Sequence, residues 1–171
     1  MNIDYFETAQ YLDWLKEKLW LNRNSGNAKN RMVFRGEVYE CNLGVGIGSE
    51  ERKNRPCVII QNDTANKNSG IVLVAPVSHS YRNSPVVIPI IPQTDCAGNI
   101  LLDGYVLVGN MTSVSKARLG KKISKLSKKE IDDIDQAIIV QTGLLNKFEA
   151  LNNIIADKDV YISKLKKKIE N

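Results

Sequence analysis

Between residues 38 and 109 the chain is cut into short apolar runs, at 38–43, 56–61, 71–77, 85–91 and 105–109, each rich in β-branched and aromatic residues. Stretches rich in Gly, Asn, Ser and Asp separate them, at 44–54, 62–70, 79–84 and 94–104. Runs this short and this closely punctuated read as strands, and several in succession point to a small barrel or a strongly bent sheet. Prolines refine the reading. Pro85 and Pro89 lack the amide that a central strand needs, so 85–91 is expected at a sheet edge. Pro56 opens its strand, where a missing donor costs least.

Helical periodicity flanks this β-rich middle. Tyr5, Ala9, Leu12, Leu15 or Trp14, and Leu19 recur at three- and four-residue steps, which predicts a helix over 4–21. Asp4 and Glu7 sit near its start, where the helix dipole favours acids. The polar stretch 22–30 reads as a linker. Ser127 and Glu130 have the spacing of a capping box. Ile131, Ile134, Ala137 or Ile138, Gln141 and Leu145 then continue at helical spacing, with Gly143 either ending that helix or lying within it. In the tail, Phe148, Leu151, Ile155, Lys158, Ile162, Leu165 and Ile169 alternate steps of three and four. The tail is read either as an amphipathic helix packed on its own domain or as a seam joining two copies. The organisation expected is a helical extension and linker over 1–30, a central domain over 31–146 and an amphipathic or coiled-coil helix over 147–171.

At 171 residues, with 43% hydrophobic and 25% charged residues, the chain can bury a core without disulfides or metal and is not wholly disordered. Its apolar runs fall far short of the roughly 18 residues of a membrane span. The opening MNIDYFETAQ has no cationic segment followed by an apolar one, so a cytoplasmic location is expected. Cys41, Cys57 and Cys96 form no CxxC pair and His79 is the one histidine, so reduced thiols, no metal and no cofactor are expected. The net charge of +5 is unevenly spread: 116–129 holds seven basic residues and no acid. Such a run can attract phosphate backbones, or it can be a solvated loop and helix start.

Three features bear on chemistry. Gly44, Gly46 and Gly48 suggest a phosphate loop, but a strand rather than a helix follows, so they read as a flexible inter-strand connection. Arg55 precedes a strand, while Ser78 and His79 close the next long one. A guanidinium can hold two phosphate oxygens, a hydroxyl can donate to a third, and an imidazole can move protons. Spacing alone leaves these three equally readable as unrelated surface residues.

A family resemblance decides between those readings. Arg35-Gly36-Glu37-Val38-Tyr39, Gly48-Ser49-Glu50, Arg55-Pro56 and Val58-Ile59-Ile60-Gln61-Asn62-Asp63 resemble, in order, the signature of the MazF/PemK toxins. Asn66 and Ser69 fall at matching offsets. Val106-Leu107-Val108, Lys116-Ala117-Arg118-Leu119, Ile123-Ser124-Lys125-Leu126-Ser127 and Gln141-Thr142-Gly143-Leu144 continue the match downstream.

The resemblance implies a mainly β fold with flanking helices, an SH3-like small barrel, and a homodimer. It implies a toxin of a type II toxin–antitoxin pair, cutting single-stranded RNA at specific sequences without metal, by 2′-OH attack that leaves a cyclic phosphate and a 5′-OH. The family's catalytic arginine falls on Arg55 and its catalytic threonine on Ser78. Glu50, Arg52, Lys53, Asn66, His79 and Asn110 are the expected RNA contacts, and an acidic antitoxin is the expected protein partner. Gly109, Asn110 and Thr112 depart from the family's usual Glu-Gln pair and following Arg. Two non-catalytic alternatives stand beside this reading: an RNA-binding relative, and a gyrase-inhibiting toxin like CcdB.

Overall fold

The computed structural model describes residues 4–80 and 82–169; the reading of the first three residues, and of Tyr81 in the 79–84 turn, lies outside them. Helix α1 (Tyr5–Ala28) precedes strands β1 (Glu37–Asn42) and β2 (Asn54–Ile59), helix α2 (Asp63–Asn68) and strand β3 (Ile71–Ser78). Strands β4 (Val87–Pro89), β5 (Gln93–Thr94), β6 (Ile100–Leu102), β7 (Tyr105–Leu107), β8 (Thr112–Ser115) and β9 (Leu119–Lys125) follow. Helices α3 (Lys128–Gln141) and α4 (Leu145–Ile169) close the chain.

The fold is a mainly antiparallel sheet with helices around it. Its strand order is β4-β7-β3-β2-β1-β9, with β8 branching from β3, and β5 and β6 form a separate hairpin. Strand β3 is the fork: Ile71 to Val74 pair with β8, and Val77 and Ser78 pair with β7. Pro76 sits between these two partners, where its missing amide interrupts neither ladder. Strand β4 lies at the edge, as Pro85 and Pro89 require.

Alternation along the strands feeds two cores. Val38, Val58, Ile60, Ala75 and Val77 turn to one face and meet Ile134 and Ala137 of α3. Tyr39, Cys41, Cys57, Ile59, Val72 and Val74 turn to the other. The expected capping box starts α3: the Ser127 hydroxyl accepts from the Glu130 amide, and the Glu130 carboxylate accepts from the Ser127 amide. Thr142 ends the helix and Gly143 takes φ +69°, so Leu145 belongs to α4.

Three expectations are corrected. The 22–30 linker is helical as far as Ala28, because Asn24 and Ser25 donate to carbonyls of the preceding turn and keep their bonding inside the helix. Only the end of the basic run, Lys128 and Lys129, is the helix start expected; the rest is not a solvated loop. Leu119–Lys125 is a strand that covers the edge of β1, and Lys116 is 1% exposed, its ammonium donating to the Asn66 and Lys29 carbonyls at the ends of α2 and α1. No residue of α4 is buried, so the tail does not pack on its own domain. Among the described residues no helix is long and apolar enough to cross a membrane.

Candidate functional site

Strands β2 and β3 run antiparallel, pairing Cys57 with Pro76 and Ile59 with Val74. The ladder ends at the Cys57–Pro76 pair; continued two residues past its end, the same register would run from Arg55 to Ser78. Arg55 shares the parity of Cys57 and Ile59, and Ser78 that of Pro76 and Val74, so both turn to one face of the sheet. They line one open cleft of about 550 Å3, together with Lys53, His79, Leu102 and Asp103.

Arg55 is the second residue of β2. Its Nε donates to the Arg52 carbonyl at 3.1 Å and is ion-paired with a Glu51 carboxylate oxygen 3.0 Å away. Both contacts use Nε, and among the described residues the two terminal nitrogens have no partner. A guanidinium held in this way keeps its two-pronged end available for a phosphate. Cys57, next on the same face of β2, supplies no nucleophile, because its hydrogen bond with Cys41 and its burial push its thiol pKa up.

Ser78 ends β3, 8% exposed, and its hydroxyl accepts from the Ser80 amide at 3.2 Å. Gly104 passes directly against it. At φ +100°, a Cβ on Gly104 would lie 2.7 Å from the Ser78 carbonyl, so only glycine fits. That close approach brings in Asp103, whose carboxylate meets Nε2 of His79 at 2.7 Å. Strand pleating predicts His79 on the face opposite Ser78. The strand stops at Ser78, and His79 lines the same cleft. Asp103 is a residue the sequence reading missed: 24 residues separate it from His79, and no local spacing links them.

A larger groove of about 730 Å3 adjoins, lined by Val45, Glu50, Glu51, Asn110, Met111 and Arg118 among others. Glu51 serves both grooves: one carboxylate oxygen holds Arg55 and the other receives Nδ2 of Asn110 at 3.5 Å, the outer limit of a hydrogen bond. The sequence carried a signal for Glu51 in its four-residue spacing from Arg55.

The inter-strand connection is a loop between β1 and β2, as expected, and it is closed by hydrogen bonds. The Leu43 amide donates to the Lys53 carbonyl at 3.0 Å and the Lys53 amide to the Gly44 carbonyl at 2.7 Å, closing the loop at its base. Glu50 and Ile47 exchange two further bonds across it. Lys53 takes φ +68°, an uncommon conformation for a residue with a side chain.

Of the expected contacts, Lys53 and His79 join Arg55 and Ser78 in the smaller cleft, and Glu50 and Asn110 line the larger groove. Arg52 offers Arg55 its carbonyl and keeps its own side chain exposed. Asn66 lines neither groove. It is 1% exposed, its amide group donates to the Gln61 carbonyl at 2.9 Å, and its role is to hold the α2 turn. Among the described residues no three His, Cys, Asp or Glu side chains gather as a metal-ligand group.

The family described as PemK-like, MazF-like toxin of type II toxin–antitoxin system matches residues 34–142. Endoribonuclease MazF of Staphylococcus epidermidis is 32% identical over 115 residues, which cover 67% of this chain and 95% of that protein. Among solved structures, MazF of Deinococcus radiodurans superposes with a TM-score of 0.58 at 15% identity, over 66% of this chain and 98% of its own. An endoribonuclease in complex with its cognate antitoxin, from a mycobacterial species, gives a TM-score of 0.55 at 25% identity, over 66% of this chain and 96% of that one.

Proposed function

Since this chain belongs to the PemK-like, MazF-like toxins of type II toxin–antitoxin systems, we propose that it is a sequence-specific endoribonuclease that cuts single-stranded RNA. The observation that carries the proposal is that Arg55 and Ser78 line one cleft, with the terminal nitrogens of Arg55 without a hydrogen-bond partner among the described residues. In the reaction, the ribose 2′-oxygen bonds to the adjacent phosphorus and the P–O5′ bond breaks. The 2′-hydroxyl proton leaves, and a proton reaches the departing 5′-oxygen. The products are a 2′,3′-cyclic phosphate and a 5′-OH. The nucleophile belongs to the substrate, so no metal is needed to activate a water, and DNA, which lacks it, is not cut. Charge builds on the equatorial oxygens in the transition state, where Arg55 grips two of them. Ser78 donates to a third and orients the phosphate.

In this reading Lys53 and His79 contact the RNA backbone beside the scissile phosphate, while Glu50 and Asn110 face bases in the larger groove. An acidic antitoxin segment occupies the same grooves, attracted by the net charge of +5, and blocks RNA. The catalytic unit is the domain over 31–146, acting in the cytoplasm as a homodimer. The fork at β3 and the two cores on opposite faces of the sheet support an SH3-like small barrel as its architecture.

The test is to incubate the purified chain with mixed single-stranded RNA and a chelator. Discrete cuts bearing cyclic phosphates and 5′-OH ends are expected. A gel shift without cuts would leave a non-catalytic RNA binder, and neither cuts nor shift would favour a CcdB-like protein poison.

A further inference from the structure

Helix α1 lies outside the residues matched by the family, yet two of its side chains reach the base of the loop that carries Glu51 and Arg52. Trp14 lies over Gly44. A Cβ on that glycine would sit 2.4 Å from the indole, and Gly44 itself takes φ +79°, so helix and loop meet with no space between them. The same ring carries the Arg118 guanidinium 5.0 Å from its centroid. Arg118 in turn donates to the carbonyls of Asn42 and Leu43, at 3.4 and 3.3 Å. One turn along α1, the Glu17 carboxylate accepts from Nδ2 of Asn42 at 2.5 Å, and Asn42 Oδ1 accepts from the Gly44 amide at 2.9 Å.

These contacts fix Leu43 and Gly44, the residues that close the loop against Lys53. From Lys53 the chain leads directly to Arg52 and Glu51, the two residues that hold Nε of Arg55. The connection is contiguous from α1 to the guanidinium, through a packed ring, hydrogen bonds, the covalent run 51–53 and the Glu51–Arg55 ion pair. We infer that α1 is a brace for the catalytic loop, and that Trp14 and Glu17 are positioning residues which set the orientation of Arg55 without touching RNA. The loop half of this inference stands on geometry alone; its consequence for cleavage rests on the function proposed above.

The experiment pairs hydrogen exchange with steady-state cleavage in the full-length chain, comparing wild type with Trp14→Ala, Glu17→Ala and Trp14→Phe. Amide exchange of Leu43, Gly44 and Lys53 is expected to speed up about tenfold or more in the two alanine variants, while the amides of α3 keep their wild-type protection and show that the domain is folded. kcat is expected to fall about 10- to 100-fold with KM within about threefold, because misplacing a transition-state group by an ångström costs rate rather than binding. Trp14→Phe keeps a ring on Gly44 and Arg118, and recovers most of both readouts. Unchanged loop exchange in Glu17→Ala and Trp14→Ala would overturn the brace, as would fast loop exchange with unchanged kcat. If Trp14→Ala does not fold, Glu17→Ala, an exposed surface change, decides alone. If wild type cuts no RNA, the proposed function fails, and loop exchange still decides whether α1 holds the loop.

Discussion

Arg55 of β2 and Ser78 of β3 line the same cleft, each two residues beyond the Cys57–Pro76 pair that ends the ladder between their strands. The strand ends bring the two side chains to one cleft, while Glu51 and the Arg52 carbonyl hold Nε of Arg55. The site is thus rigid at the strand ends and depends on the loop for its final orientation.

The first prediction concerns the hydroxyl. Ser78→Ala removes one donor to the phosphate and leaves Arg55 in place, so the cleavage rate is expected to fall about tenfold, less than for loss of a main transition-state donor. Ser78→Thr keeps the hydroxyl and should retain most activity. Single-turnover rates on one defined RNA check both. A Ser78→Ala enzyme as fast as wild type would remove Ser78 from the site.

His79 provides the second. Its imidazole is 80% exposed and tied through Nε2 to Asp103, an arrangement suited to holding a phosphate at the cleft mouth. His79→Ala should raise KM about three- to tenfold and leave kcat nearly unchanged, because the ring contacts the RNA backbone rather than the reacting atoms. A collapse of kcat with RNA binding intact would instead make His79 a proton-transfer group.

Much of this geometry was legible in residue order, and the rest was not, for physical reasons. Ser127 and Glu130 announced α3 because a capping box is local, and Pro89 announced an edge because a missing amide is local too. Lys116 was unreadable: whether a lysine is solvated or buried depends on carbonyls supplied by Asn66 and Lys29, which lie far from it in sequence. The 22–30 stretch has linker composition, and its side-chain bonding kept it helical against propensity. At the site, Arg55 and Ser78 were named by the family pattern, whereas Asp103 reaches His79 only because Gly104 lets two backbones touch.

The third prediction concerns stability and acid. Glu37 is 6% exposed and accepts from the Lys122 ammonium at 2.5 Å, the Phe34 amide at 2.8 Å and the Tyr39 hydroxyl at 2.9 Å. Burial works against its charge, but the bonds to Lys122, Phe34 and Tyr39 outweigh it and hold the carboxyl below its ordinary range. Its stabilisation is therefore complete above the ordinary glutamate pKa of about 4.3 and is lost as pH falls through the lower folded value. Glu37→Gln should cost about 1–3 kcal/mol at pH 7. Urea melts at pH 7 and below pH 4 should show the gap to wild type narrowing in acid; a widening gap would contradict the assignment.

The fourth concerns assembly. Helix α4 exposes Phe148, Leu151, Ile155, Ile162 and Leu165 at alternating three- and four-residue steps, with Lys158 interrupting the stripe. Light scattering at micromolar concentration should give about twice the 19.2 kDa of one chain. Leu151→Asp with Ile162→Asp should weaken that association, by placing charges in the seam. A monomer at these concentrations would exclude the dimer, and an unaffected dimer would leave the tail outside its interface.

The central claim is that Arg55 stabilises the phosphorane during cleavage of single-stranded RNA. The most direct measurement is the single-turnover rate of Arg55→Ala and Arg55→Lys on a defined RNA, alongside wild type on the same RNA carrying a 2′-deoxy sugar at the cut. The alanine variant should be slower by about 10²–10³-fold or more, the usual loss for such a donor. Lysine should rescue little, since an ammonium cannot make the two-pronged contact. The deoxy substrate should resist cleavage because its nucleophile is gone. Wild-type rates for Arg55→Ala would contradict the account.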